Sequence, residues 1–253
     1  MSAPAPSLSP SASLSSRFRA VPAGRMHLWL MLVLTFTTGI VDAVGYLGLD
    51  RVFTGNMTGN VVILGMALTG ADDLPILGPV LALVGFMAGA ALGGRVLRRA
   101  TPGWSRITTV LFGLVAVVSL ALTAVLLADE TPVEPVALTV TALLGAAMGL
   151  QAAVARFLAV KDVTTVVVTS TITGLAADSR LGSGKAHADG GGSGRRFTAV
   201  VAILAGAAVG AALLQWHLGA GLGLAAALIA VTTLVGALHA RAVRPGRTAP
   251  GAS

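Results

Sequence analysis

Asp42, Tyr46, Asp50, Arg51, Thr54, Asn56, Thr58 and Asn60 fall within Gly39 to Gly65, GIVDAVGYLGLDRVFTGNMTGNVVILG, inside otherwise strongly apolar sequence. Ionisable and polar groups inside a membrane span are costly, and they face a cavity or a partner helix rather than lipid. A carboxylate among hydroxyls and amides can bind a cation, exchange a proton or hydrogen-bond a small polar solute. The glycines between them let backbones approach closely or let a helix unwind. On a continuous helix Asn56 and Asn60 share a face, with Thr54 and Thr58 beside it. On a half-helix, the N-terminal backbone donors could instead meet an anionic group. The same residues also suit plain packing. Asn and Thr join membrane helices by hydrogen bonds of about 1 kcal/mol, and Asp42 could cap a half-helix or pair with Arg51 or Arg156. Both readings, solute pathway and structural glue, stand at this point.

About 110 residues later the pattern returns in weaker form as GLQAAVARFLAVKDVTTVVVTSTITG, Gly149 to Gly174. Its polar members are Gln151, Arg156, Lys161, Asp162, Thr164, Thr165, Thr169 and Thr171. Aligning the two stretches sets Asp42 opposite Gln151 and Thr58 opposite Thr169, so a carboxylate stands in one half only. Arg156 follows a long apolar run and is placed either to reach the interface or, less readily, to bind an anion.

The elements that carry these residues are membrane spans. The 253-residue chain is 55% hydrophobic and 11% charged, with a mean hydropathy of +0.87, and several runs reach the roughly 20 apolar residues a span requires. Apolar segments are expected at about 28–49, 52–69, 75–97 and 107–128, then 136–159, 163–177, 197–216 and 218–240. Trp29 sits at an interfacial position. Asp42 falls about 21 Å along the first segment, inside a hydrocarbon core of about 30 Å. FMAGAAL (86–92) and AAVGAAL (207–213) extend the likeness between the halves. The expected layout is a tail over 1–24, a single membrane domain over 25–241 and a tail over 242–253, both tails disordered. Within the domain, one repeat covers about 28–128 and another about 136–240, with a Gly/Ser-rich flexible loop at 179–196.

Charge sets the crossings. The net charge of +7 comes from arginines grouped in the N-terminal tail, at Arg95 to Arg106, at Arg180 to Arg196 and in the C-terminal tail, where they act as topology signals. Six crossings put all four groups in the cytoplasm, as the positive-inside rule asks, provided each polar stretch and its neighbouring segment cross once together. The expected fold is therefore all-α: a polytopic transmembrane helix bundle with two internal repeats, six crossings and two broken or re-entrant segments. Eight plain crossings are the alternative. With six, each half has three crossings and the halves are inverted, an arrangement of secondary transporters with sites near the midplane.

Several functions are set aside. No basic face interleaved with aromatics appears, so nucleic acid is not expected as a partner. The absence of cysteine removes disulfides and thiol chemistry, and His27, His187, His217 and His239 lack metal-ligand spacing. Gly182 to Lys185 lacks the GxxxxGK[ST] spacing of a phosphate loop, and Asn56-Met57-Thr58 is a glycosylation triplet only in form. No catalytic cluster is present, so no enzyme, no cofactor and no metal are expected. The lipid bilayer is the certain partner, with a small solute, proton or ion as cargo. The four-spaced glycines permit a homodimer without requiring one.

The first stretch resembles the signature of the YoaK-like family of bacterial membrane proteins, a domain-of-unknown-function family. The residues that carry the likeness are Val41-Asp42-Ala43, Tyr46-Leu47 and Thr58-Gly59-Asn60. Gly149-Leu150-Gln151-Ala152-Ala153 with Arg156, and Thr169-Ser170-Thr171, resemble its second-half pattern. Ala152 stands where Asn often follows the Gln, and Ser170 where Gly is usual, which points away from ligands in the second half. The resemblance spans about residues 28–240 and implies a multi-span inner-membrane protein. With the charge pattern, both termini are expected in the cytoplasm. The sequence reading closes on a small secondary transporter or permease, its site between the repeats at Asp42, Tyr46, Thr54, Asn56, Thr58, Asn60, Gln151, Arg156 and Thr169. A non-transporting scaffold is its rival.

Overall fold

The structure, a computed structural model, describes residues 20–129, 131–160, 168–179, 182–183 and 192–243. Six of its helices are long and apolar enough to cross a bilayer: α1 (Ala23–Gly48), α3 (Leu77–Leu97), α4 (Arg106–Ala128), α5 (Glu134–Leu158), α7 (Gly192–Leu214) and α8 (Leu218–Val243). Two apolar helices are shorter: α2 (Met57–Ala67) and α6 (Val168–Ala177). At 1.5 Å per residue α2 is about 16 Å long, half the hydrocarbon thickness. The expected span over 52–69 is therefore an irregular strip followed by a half-length helix. Its counterpart over 163–177 is described only from Val168 onward. The last five residues of the expected loop at 179–196 form the first turns of α7, while most of that loop and both tails lie outside the described residues.

Packing follows the small residues. Lipid is as apolar as a leucine face, so membrane helices associate where backbones come close enough for dense van der Waals contact. Added Cβ atoms at Gly85 and Gly89 of α3 would overlap the carbonyls of Ala142 and Ala146 on α5, and one at Gly149 of α5 would overlap the carbonyl of Phe86 on α3. The α1–α7 pair is built alike: a Cβ at Gly39 would strike the Ile203 carbonyl, and one at Gly206 the Phe36 carbonyl. These two pairs are the most extensive helix contacts in the bundle, followed by α4 with α8.

Helices α1 and α5 occupy the centre. Of the most apolar stretch of α1, 67% of residues are buried, against 22% in α3 and 17% in α7, which present most of their surface to lipid. Two apolar clusters fill the middle. One gathers Leu34, Phe112, Val154 and Ile229, and the other Ile40, Val44, Leu144, Met148 and Leu222. The α4 start is fixed by a reciprocal cap between Ser105 and Thr108. Trp104 beside it stacks on Phe112 at 5.4 Å and faces Gly236 of α8.

Candidate functional site

After Gly48 the chain reverses through Asp50 and Arg51, both with left-handed backbone (φ 61° and 57°). Short polar or long flexible side chains accept this conformation where β-branched ones do not. The reversal sends residues 52–56 back along α1. Val52 N–H donates to Gly45 O at 3.4 Å, and an added Cβ at Gly45 would overlap the Val52 carbonyl, so glycine is required there for the strip to lie flat.

The strip ends at Asp42. Oδ1 of this residue accepts the backbone N–H groups of Thr54, Gly55 and Asn56 at 3.1, 2.7 and 3.2 Å. The exposure of Asp42 is 8%. Asp42 thus holds the strip just ahead of the half-helix rather than the N-terminal donors of the helix itself. An ionised acceptor strengthens each such bond, and peptide donors that lipid would leave unsatisfied are paired. Met57 then starts α2, with Asn56 as its cap: Asn56 Oδ1 accepts Gly59 N–H at 3.3 Å. One turn on, Asn60 locks the strip to the helix. Its Oδ1 accepts Phe53 N–H at 2.9 Å and its Nδ2 donates to Phe53 O at 2.6 Å. At the outer end Arg51 reaches Asp72, Nη1 to Oδ2 at 3.5 Å, an exposed pair of small energetic weight.

Asn60 is fully buried, so its loss leaves two part-buried peptide groups of Phe53 without their partner, at up to about 1–3 kcal/mol each. Asn60→Leu is expected to lower the melting temperature in detergent strongly, while Arg51→Ala is expected to leave it nearly unchanged. Equal melting of the two variants would contradict the clamp.

A cavity of about 690 Å³ opens against this hairpin. Thr38, Asp42 and Tyr46 of α1 line one side, and Phe53, Gly55, Asn56, Thr58 and Gly59 of the strip and α2 a second. Val168 and Thr169 of α6 and Ile203 of α7 complete it. Tyr46 stacks on Phe53 with ring centroids 4.9 Å apart. Seven of the nine residues named from sequence therefore gather near Asp42 or on the cavity wall, in different roles. Asn56, Thr58, Tyr46 and Thr169 are exposed to the cavity, Thr54 and Asn60 are buried behind it, and Asp42 lies between. The continuous-helix expectation fails for Thr54 and Asn56, which precede α2, because Asp42 and Asn60 pair the backbone of the strip outside a helix.

Gln151, fully buried on α5, stands beside this group. Its Nε2 donates to Thr38 Oγ1 at 3.5 Å, one turn of α1 before Asp42, while its Oε1 has no partner. Arg156 is exposed near the end of α5, off the cavity wall, and Arg51 pairs with Asp72, so neither arginine is the partner of Asp42. Lys161, Asp162, Thr164 and Thr165 lie outside the described residues. Sequence reasoning missed Thr38, Phe53 and Ile203. Thr38 had a usable signal, since it precedes Asp42 by four residues and shares its face. Ile203 had none, being one aliphatic residue among many.

Six long apolar helices and two half-length ones around a polar hairpin define a multi-pass α-helical membrane protein. The family described as Protein of unknown function (DUF1275) matches residues 30–235, and the chain belongs to it. It is 31% identical over 150 residues to the UPF0700 transmembrane protein YoaK of Bacillus subtilis (strain 168). That match covers 59% of this chain and 65% of the relative, so the chain spans just under two thirds of that protein's length. No solved structure matches the chain.

Proposed function

We propose that this protein is a small secondary transporter or permease of the bacterial inner membrane, moving a small solute or ion through the Asp42 cavity. The observation that carries this reading is the cavity itself. A carboxylate, an amide and four hydroxyl-bearing side chains (Thr38, Tyr46, Thr58 and Thr169) line it, at the depth where the Asp42 hairpin ends, and helices of both halves of the chain form its walls. Lipid-facing polar backbone is not tolerated at that depth, whereas backbone lining a wet cavity is.

The arrangement of the halves supports the same reading. In the order long helix, half-length helix, long helix, long helix, α1–α4 correspond to α5–α8. The partners exchange accordingly: α1 packs on α7 and α5 on α3, α1 on α8 and α5 on α4, α2 on α3 and α6 on α7. We read this as two inverted repeats of three crossings with cytoplasmic termini, the organisation in which rocking of one half on the other alternates access to a central site. The glycine seams between α1 and α7 and between α3 and α5 bring backbones into direct contact without interlocking side chains at those glycines, which is compatible with such sliding. The rival is a scaffold in which the hairpin only braces the bundle, and the full use of Asn60 and Asp42 Oδ1 in backbone bonds favours it.

Two labelling experiments separate these, and the cysteine-free background makes both clean. Thr58→Cys and Thr169→Cys, on two different helices of the cavity wall, are expected to react with a membrane-impermeant maleimide from either face, in right-side-out and in inverted vesicles. Reaction from one face alone would remove alternating access and leave the scaffold. Thr101→Cys and Gly184→Cys are expected to be protected in intact cells and labelled after lysis. Labelling of Thr101→Cys alone in intact cells would give eight crossings and end the inverted-repeat reading.

A further inference from the structure

Asp42 uses its two oxygens differently. Oδ1 carries all three amide bonds, and among the described residues Oδ2 accepts none. Asp42 is 8% exposed and lines the cavity. Gln151 Oε1, wholly buried, is likewise without a donor. Thr38 stands one turn of α1 before Asp42 and touches Gln151. It donates to Leu34 O at 2.9 Å and receives the Gln151 amide at 3.5 Å, which leaves it acceptor capacity. Gly55 ties the group together in space, since a Cβ there would sit 2.9 Å from Thr38 Cγ2, 3.3 Å from Asp42 Oδ1 and 3.4 Å from Met148 Cε, one turn from Gln151.

Oxygen acceptors without donors are expensive in a buried setting, and a cation relieves that cost where no N–H can. One carboxylate charge balances one monovalent charge. Hydroxyl, amide and carboxylate oxygens are hard ligands, matched to hard cations rather than to soft metals. We infer that Asp42 Oδ2, Thr38 Oγ1 and Gln151 Oε1 form a binding site for an alkali-metal cation at the inner end of the cavity. The site deepens the transport reading, on which its role as a coupling site rests, while the binding itself can be measured without any transport. The link to motion is direct. The carboxylate that would receive the cation also holds the amides of Thr54 to Asn56, so occupancy of Oδ2 and order of the re-entrant strip are coupled through one side chain.

The test is hydrogen–deuterium exchange on the purified full chain in detergent, following the peptide over residues 53–60. NaCl or KCl is compared with choline chloride at equal ionic strength and pH. An alkali cation at ten times its dissociation constant is expected to slow exchange through local opening about tenfold, with no such effect in Asp42→Asn. Gln151→Leu keeps the inference testable if Asp42→Asn does not fold. Removing a stranded amide should stabilise the protein in choline, and the alkali response should shrink by tenfold or more in concentration. Identical exchange in sodium, potassium and choline would overturn the site, as would an alkali response that Gln151→Leu leaves intact. Two-sided labelling of the cavity cysteines without an alkali response would end this inference and leave the transport reading standing. An alkali response with one-sided labelling would do the reverse.

Discussion

Asp42→Ala is expected to abolish stable folding of the re-entrant hairpin and, with it, the transport proposed above, whereas Asp42→Asn is expected to abolish that proposed transport while keeping the fold. In the alanine variant the N–H groups of Thr54, Gly55 and Asn56 lose their common acceptor. Thr54 and Gly55 are buried and Asn56 reaches the cavity. Stranding a buried donor costs about 1–3 kcal/mol, so two such donors threaten a large part of the 5–15 kcal/mol typical of a folded domain. Asparagine retains an oxygen where Oδ1 stood. It gives up only the difference between charged and neutral hydrogen bonds, about 1 kcal/mol for each amide. What it removes entirely is the negative charge facing the cavity. Size-exclusion profiles and melting in detergent should therefore rank wild type, then Asn, then Ala. Solute or ion flux into liposomes should be lost in both variants. Unchanged flux in Asp42→Asn would remove Asp42 from the pathway and leave it as a brace.

The second large effect lies in the α3–α5 seam. Gly89→Ala adds one methyl group where a Cβ would overlap the Ala146 carbonyl. Backbone cannot rotate away as a side chain can, so the two helices must separate along their shared length. Overpacking of this kind costs about 1–3 kcal/mol, and in lipid no hydrophobic driving force returns the lost van der Waals contact. Gly113→Ala is the matched control: on α4, with nothing within 4 Å of the added Cβ, it gains about 1 kcal/mol of helix propensity at most. Gly89→Ala should melt well below wild type, and Gly113→Ala at or slightly above it. Equal melting would show that the seam has room to spare.

Much of this architecture was legible in the chain. Long apolar runs fix spans because a bilayer has one thickness and peptide groups must be satisfied within it, so α1, α3, α4, α5, α7 and α8 fall close to the expected segments. The two interrupted stretches were legible for the same reason. Asparagines and a carboxylate clustered in mid-membrane sequence are costly against lipid, and α2 and α6 are half-length helices at those places.

The details of the hairpin were not legible. Asp42 as acceptor for residues 54–56 requires the left-handed reversal at Asp50 and Arg51, and nothing in a helical period announces it. The pattern instead suggested a face shared by Asn56 and Asn60, whereas one caps α2 and the other grips Phe53.

By itself the sequence determined that this is an all-helical membrane protein with eight apolar segments, crossing six or eight times, and a polar centre near Asp42. Those features follow from local composition, length and the cost of polar groups in hydrocarbon. Only the tertiary structure decided which polar groups are spent on the backbone and which remain open. Thr54, Gly55 and Asn56 meet Asp42 across a chain reversal, and Gln151 meets Thr38 across 113 residues. Such pairings depend on how distant segments pack against one another, which is a property of two surfaces together and is written in neither stretch of sequence alone.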